Sequence, residues 1–323
     1  MSAEMGLGGQ DCVANENGIP LPEEVRKAAL EELREDENIK QQSLDQMKEW
    51  INKHPNIKRC RTDNKFLLRF LRTKKFSVPL ACEMLERYLI IRQLYPDWFK
   101  NLDYEDKDLK EIIDNGYIVP LVDRIDGKLV IFSAADKFDP YKYTAAHMIR
   151  VHSLVSEALM DDELNQIYGY VYINDVAGFQ MGHISLWSLK DVRNIFHCVQ
   201  NSSPMRHKAN HFINMSPAAA KLIEFGLTFL NDKLRNRTFI NPSLDALHEK
   251  IDPKILPKEY GGVVPLSELT EKLKTLLKER REQVLSLDDM YIEIDERECK
   301  LVSEMNEELG VGLEGSFKKL TVD

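Results

Sequence analysis

The chain has 323 residues, 43% of them hydrophobic and 30% charged, with a formal net charge of -9 at pH 7. That composition can bury a core and that length allows two domains, which excludes a disordered chain, and the acidic balance argues against general nucleic-acid binding. No run approaches the roughly 18 consecutive apolar residues of a membrane-spanning helix, and the first residues lack the basic and apolar regions of a signal peptide, so a soluble, cytosolic protein is expected. The five cysteines (Cys12, Cys60, Cys82, Cys198, Cys299) are scattered, with no C-x-x-C and no paired Cys/His spacing. They signal neither a disulfide framework nor a zinc site.

Residues 1–20 are rich in Gly, Asn and Glu and are expected to be flexible. Residues 21–96 read as helices only, a small all-helical domain. Pro22 precedes Glu23 and Glu24, acids placed where a helix N-terminus favours them, and Leu44, Met47 and Ile51 form one apolar stripe. Asp63 or Thr62 caps the helix that carries the apolar run from Phe66 to Leu71; Ser77 with Pro79 opens another through Met84, Leu85, Tyr88 and Leu89.

From Gly116 the period changes. Strands are predicted at 117–122 and 129–133, around the hairpin signal Asp126-Gly127. A helix at 144–160, a strand at 168–173, a helix from Ser188 to about residue 199, a short strand at 211–214 and a last one at 238–240 follow. Strands alternating with helices require crossover connections, so residues 110–265 are expected to form an α/β domain, a mostly parallel or mixed sheet flanked by helices. An amphipathic helix at 266–286 leads to an acidic tail at 287–323, expected to be partly disordered.

One segment is apolar on too many sides for a surface helix. Residues 215–234 are predicted as a single helix with Ser216 and Pro217 as its N-cap and first residue. Lys221, Glu224, Thr228 and Asp232 make a polar stripe, while Leu222, Ile223, Phe225, Leu227, Phe229 and Leu230 cover most of the remaining circumference. Such a helix is either a lid over a hydrophobic ligand or a core helix wedged between sheet and neighbours. Basic residues flank it: Arg206 and Lys208 on a short connection before a strand, and Lys233, Arg235 and Arg237 at its end. The helix dipole alone accounts for the second group. Two clusters around one greasy element suit an anionic membrane surface, where each Lys or Arg contributes about 1 kcal/mol. Lys74 and Lys75 are a third contributor if the fold brings them near.

Catalytic signatures are missing: the chain contains no G-x-x-x-x-G-K-[ST], no G-x-S-x-G and no H-E-x-x-H. The stretch DVAG at 175–178 is explained by a strand running into a glycine turn, and His147 and His152 are too far apart on a helix to share one metal well. A non-enzyme without metal or cofactor is expected.

Five stretches together resemble a known family. FLLRFLR at 66–72 with Lys74 and Phe76, YINDVAGF at 172–179, SPMR at 203–206, FIN at 212–214 and LPKEYGG at 256–262 are similar to the successive signatures of CRAL-TRIO lipid-transfer proteins, over about residues 21–277. Within that family the chain most resembles the branch holding the alpha-tocopherol transfer protein, the clavesins and cellular retinaldehyde-binding protein. The resemblance implies a helical N-terminal domain followed by a lipid-binding domain whose cavity, closed by a mobile helix, holds one hydrophobic molecule such as tocopherol, a retinoid, a carotenoid or a phospholipid. It implies a site for phosphatidylinositol bisphosphate at Lys74, Arg206, Lys208, Lys233 and Arg237. It implies a pocket at Phe138, Ile149, His152, Ser153, Ser156, Ile195, Cys198, Met205 and Asn210, to which the lid would add Leu222 and Phe225. His152 stands where the tocopherol carrier has a serine and Asn210 where it has an apolar residue, which implies a more polar pocket. The expected protein is a monomeric cytoplasmic carrier that associates reversibly with endosomal or other phosphoinositide-bearing membranes; a clavesin-like regulator of endosomal traffic is the alternative.

Overall fold

The structure, a computed structural model, describes residues 21–294. The segments expected to be flexible, 1–20 and most of the acidic tail from 295, lie outside the described residues. Capping and apolar spacing set the helical half of the chain. Helix α1 (Glu23–Leu33) follows Pro22, and α2 (Glu37–Lys53) is capped by Asp36, whose carboxylate accepts from the Ile39 amide at 2.8 Å. The predicted stripe of α2, Leu44, Met47 and Ile51, is buried. Helix α3 (Asn64–Thr73) is capped by Asp63, α4 (Val78–Leu94) starts after Ser77, and the short helices α5 (Pro96–Phe99) and α6 (Lys107–Asp114) complete the run. Helices are not the whole of this region: Ile57–Arg59 forms strand β1.

Strand β2 (Ile118–Pro120) runs antiparallel to β3 (Leu129–Ala134), and β3, β4 (Tyr170–Asp175), β5 (His207–Ile213) and β6 (Thr238–Ile240) pair parallel in succession. The result is a five-stranded mixed sheet in the order β2-β3-β4-β5-β6. Its crossovers carry α7 (Ala145–Leu159) with α8 (Glu163–Tyr168), α9 (Met181–Ser185) with α10 (Leu189–Asn201), and α11 (Pro217–Leu227) with α12 (Asp232–Arg235). After the sheet come α13 (Leu244–His248), α14 (Leu266–Leu285) and β7 (Tyr291–Ile292), which pairs antiparallel with β1. The beginning of the expected tail is therefore ordered, with Asp288 accepting from Arg92 at 2.9 Å and from the Asn101 amide at 2.8 Å.

Three expected boundaries move, each for a local reason. Strand β4 begins at Tyr170 because Asp162 caps a short helix through Tyr168, and Gly169 turns the chain at φ +86°, where an added Cβ would lie 2.4 Å from the Arg206 carbonyl oxygen. Strand β5 begins at His207, so Lys208 lies in a strand and not on a connection. The greasy segment is not one helix: α11 stops at Leu227, and the Asn231 side chain caps a separate turn, α12, accepting from the Leu234 amide at 3.0 Å.

One apolar core runs continuously from Leu44 to Ile292, and a small one joins Val25, Ala29 and Leu33 of α1 to Ile167 of α8. Two arginines of the FLLRFLR stretch are buried between these layers. Arg69 bonds Asp161 at 2.5 Å and Glu157 at 2.7 Å. Arg72 bonds Glu35 at 2.7 and 2.9 Å, Glu163 at 2.9 Å and the Gln166 side chain at 2.8 Å. The DVAG stretch is likewise a tie: Asp175 accepts from the Tyr260 hydroxyl at 2.7 Å and from the Asn214 side chain at 3.0 Å. The adjoining Gly262 is forced, since a Cβ there would sit 1.6 Å from the Leu256 carbonyl oxygen.

Candidate functional site

Between the sheet and its covering helices lies a cavity of about 510 Å³, a size suited to a small-molecule ligand. Ser133, Tyr172, Asn174, Asn210 and Phe212 face it from β3, β4 and β5. Helix α7 adds Met148, Ile149, His152, Ser153 and Ser156, and α10 adds Ile195, Phe196, Cys198 and Val199. Ile223 of α11, Leu234 of α12 and Leu230 between these two helices close the remaining side.

Of the residues expected to line a pocket, Ile149, His152, Ser153, Ser156, Ile195, Cys198, Met205 and Asn210 are in this wall. Phe138 is not; it is buried behind Tyr117 and against Tyr143, with ring centroids 5.2 and 5.6 Å away. Phe225 is also not in the wall. It is 37% exposed and stands edge-on to Phe229 at 5.4 Å, because two residues after Ile223 the helix has turned by about 200°. The Leu222 side chain lies outside the described residues. Tyr172 and Asn174 were missed by sequence reasoning, although their alternate positions on a strand put them on one face.

A polar stripe crosses the cavity floor. The Ser133 hydroxyl donates to Asn174 at 2.8 Å, and the Asn174 amide donates to Asn210 at 2.6 Å. Beside it the Tyr117 hydroxyl meets His152 Nε2 at 3.0 Å. The buried Ser202 hydroxyl and His207 Nε2, both from wall residues, have no hydrogen-bond partner among the described residues. Burial pushes the Cys198 thiol up to about 12, so it is no nucleophile at neutral pH.

Desolvation pushes His152 down to about 4, and desolvation with the fields of Arg237 and Lys233 does the same to His207. Both residues line the cavity. Both are neutral when folded, whereas the unfolded chain protonates them near pH 6.5. Their contribution is therefore complete above pH 6.5 and is lost as pH falls towards 4; at pH 5.5 the two together cost about 3 kcal/mol. Thermal melts from pH 7.5 to 5.5 should show a falling midpoint, and H152N should flatten the slope. Equal slopes for the two proteins would refute this.

The second feature lies where the end of α3, the start of β5 and α12 meet. Desolvation lowers the Lys233 pKa, and the fields of Arg237, Lys74, Lys75 and Arg206 lower it further, which places these cations in one cleft. Lys208 joins them through Arg206 and Arg237. The cations expected to share a site are thus brought together, with Lys75 added. They differ in commitment. Arg206 donates to the Ile167 carbonyl and to Glu32 at 2.6 Å, Lys208 donates to Glu32 at 2.6 Å, and Arg237 donates to the His207 carbonyl at 2.6 Å. Lys74, Lys75 and Lys233 form no ion pair among the described residues. Arg235 belongs elsewhere, donating to the Leu230 carbonyl at 2.8 Å. Among the described residues no helix is long and apolar enough to cross a membrane, and no group of three or more His, Cys, Asp or Glu is placed to hold a metal ion.

A sheet and crossover helices enclosing a largely apolar cavity, with a cationic cleft sharing Arg237 in its wall, define a lipid-binding protein. Residues 115–262 match the model of the CRAL/TRIO domain, and residues 36–109 that of the Pinta-like UBA domain. Clavesin-1 of Xenopus laevis is 33% identical over 258 residues, covering 79% of this chain and 77% of its own. Clavesin-2 of Homo sapiens is 32% identical over 259 residues, covering 79% of each. The crystal structure of Sfh5 superposes with a TM-score of 0.48 at 13% identity, over 77% of this chain and 99% of that one. The chain belongs to the CRAL/TRIO family.

Proposed function

We propose that this protein is a lipid carrier, and not an enzyme, that holds one hydrophobic molecule in the cavity and releases it at a phosphoinositide-bearing membrane. The observation that carries the reading is α12: Leu234 lines the cavity, while its neighbour Lys233 belongs to the cationic cleft. A headgroup that draws Lys233 moves the cavity wall with it. Enclosing roughly 400 Å² of apolar ligand surface yields about 10 kcal/mol before ordering costs, so unaided release is slow. An anion that binds better to the open arrangement speeds it, because a ligand shifts a conformational equilibrium only by its differential affinity. The polar stripe favours a cargo with one hydroxyl or carbonyl end, in the manner of tocopherol or a retinoid. The site of action is the cytoplasmic face of an endosomal or similar membrane, reached as a monomer.

Filling the cavity tests this. Wild-type protein incubated with a tissue lipid extract, repurified and extracted with organic solvent should yield near one enriched lipid per chain by mass spectrometry. Ser156→Trp should lower that yield at least tenfold; equal loading would refute the carrier reading. The 33% identity to Clavesin-1 favours a second reading, a phosphoinositide-binding regulator of endosomal traffic. It predicts that the S156W protein keeps its cellular function without cargo.

A further inference from the structure

The two ends of the cleft are unequal. At one end the ammonium groups of Lys74, Lys75 and Lys233 are held in no salt bridge among the described residues, and the Glu83 carboxylate acts on Lys74 only at a distance. At the other, Glu32 bridges Arg206 and Lys208, one carboxylate oxygen lying 2.6 Å from each cation. Glu32 comes from α1, far away in sequence, and three anchors hold α1 in place: the small core around Leu33 and Ile167, the left-handed cap at Arg34, and the Glu35–Arg72 pair just past that cap. Leu33 packs on Ile167, whose carbonyl accepts from Arg206, so the same packing holds Glu32 beside the start of β5.

We propose that the Arg206–Lys208 end is a subsite for a second phosphate group and that Glu32 is a tethered competitor for it. A carboxylate accepting from two cations mimics part of a phosphate, and a dianionic phosphate offers more charge and more acceptor oxygens to the same donors. A ligand with one phosphate can use the lysine end and leave Glu32 in place. A ligand with two, an inositol bisphosphate either on a lipid or free in solution, gains the second subsite only by displacing Glu32. Burial works against the Glu32 charge, but the hydrogen bonds from Lys208 and Arg206 outweigh it and hold the carboxyl below its usual range, so the competitor is ionised at neutral pH. The Glu32 side chain is 42% exposed and can swing into solvent without unfolding α1. The inference rests on the headgroup reading of the cleft and adds to it a built-in penalty on the second phosphate.

The test compares wild type, Glu32→Gln and Glu32→Ala on vesicles of equal surface charge containing a phosphatidylinositol bisphosphate, a phosphatidylinositol monophosphate or phosphatidylserine alone. Removing one negative charge raises binding to any anionic surface, by about fivefold. Both variants should exceed that on bisphosphate vesicles, gaining about twentyfold or more, and should gain no more than the phosphatidylserine increment on the other two. A soluble inositol bisphosphate should show the same differential gain by calorimetry if the headgroup alone is read, and none if the bilayer is required. Equal gains on all three vesicles would overturn the competitor and leave the headgroup cleft standing. If neither wild type nor variants prefer phosphoinositide over charge-matched phosphatidylserine vesicles, the headgroup reading falls and the inference with it. Unchanged thermal midpoints keep a folding defect out of the comparison.

Discussion

K74E/K233E is expected to lower affinity for phosphoinositide vesicles by about a thousandfold. The double reversal changes the cleft by four charge units, each worth about 1 kcal/mol near an anionic surface, and 1.4 kcal/mol is a tenfold change in affinity. These two lysines are the informative pair because neither is held in a salt bridge among the described residues, Glu83 acting on Lys74 only at a distance, whereas Arg206 and Lys208 already share Glu32 and Arg206 also ties the Ile167 carbonyl. Reversing the latter pair mixes lost binding with lost structure. A control with the same change in net charge, K53E/K272E, alters lysines that pair with Glu49 and Glu268 on exposed helix faces. Flotation assays should then show a large loss for K74E/K233E and a small one for the control. Equal losses would mean that only net charge matters and that the cleft recognises nothing.

How much of this was legible in the sequence depends on whether the signal is local. Asp63, Ser188 and Ser216 announced helix starts because an N-cap acts on amides two or three residues away. Leu44, Met47 and Ile51 announced a buried face for the same reason. Strand β5 was half hidden, because His207, Lys208 and Asn210 are polar, the strand lining a partly polar cavity and starting in a charged cleft. The break after Leu227 was invisible to a count of apolar residues; it depends on the cap at Asn231 and on Gln200, which donates to the Phe229 carbonyl at 3.0 Å and accepts from the Asn231 amide at 2.7 Å. The cations of the cleft stood out as basic clusters around the greasy segment, but their convergence was implied by resemblance alone, because nothing in the spacing of Lys74, Arg206 and Lys233 states that they meet. Glu32 could not be found at all. On α1 it reads as one more acid on a charged helix, and only the packing of α1 on α8 brings it to the start of β5.

Arg72→Met should be the most destabilising of the single changes, costing about 3–5 kcal/mol, because it strands two carboxylates where water cannot reach them freely. Arg72 is fully buried, and its guanidinium is the shared partner of Glu35 on α1 and Glu163 on α8. For a chain of this size each kcal/mol moves the thermal midpoint by about 2–4 °C, so a fall of roughly 6–20 °C is expected. The decisive comparison is R72M/E35Q/E163Q, which removes the stranded charges together with the cation. If charge is what Arg72 satisfies, the triple variant regains most of the loss, since a buried ion pair is expensive to break but not to replace. Recovery of less than a third would show that its stem packing between α1, α3 and α8 matters more than its charge. Both variants remove the Glu35–Arg72 pair, so α1 and the Glu32 it carries should loosen in both, and affinity for bisphosphate vesicles should rise in the triple variant even where stability has returned.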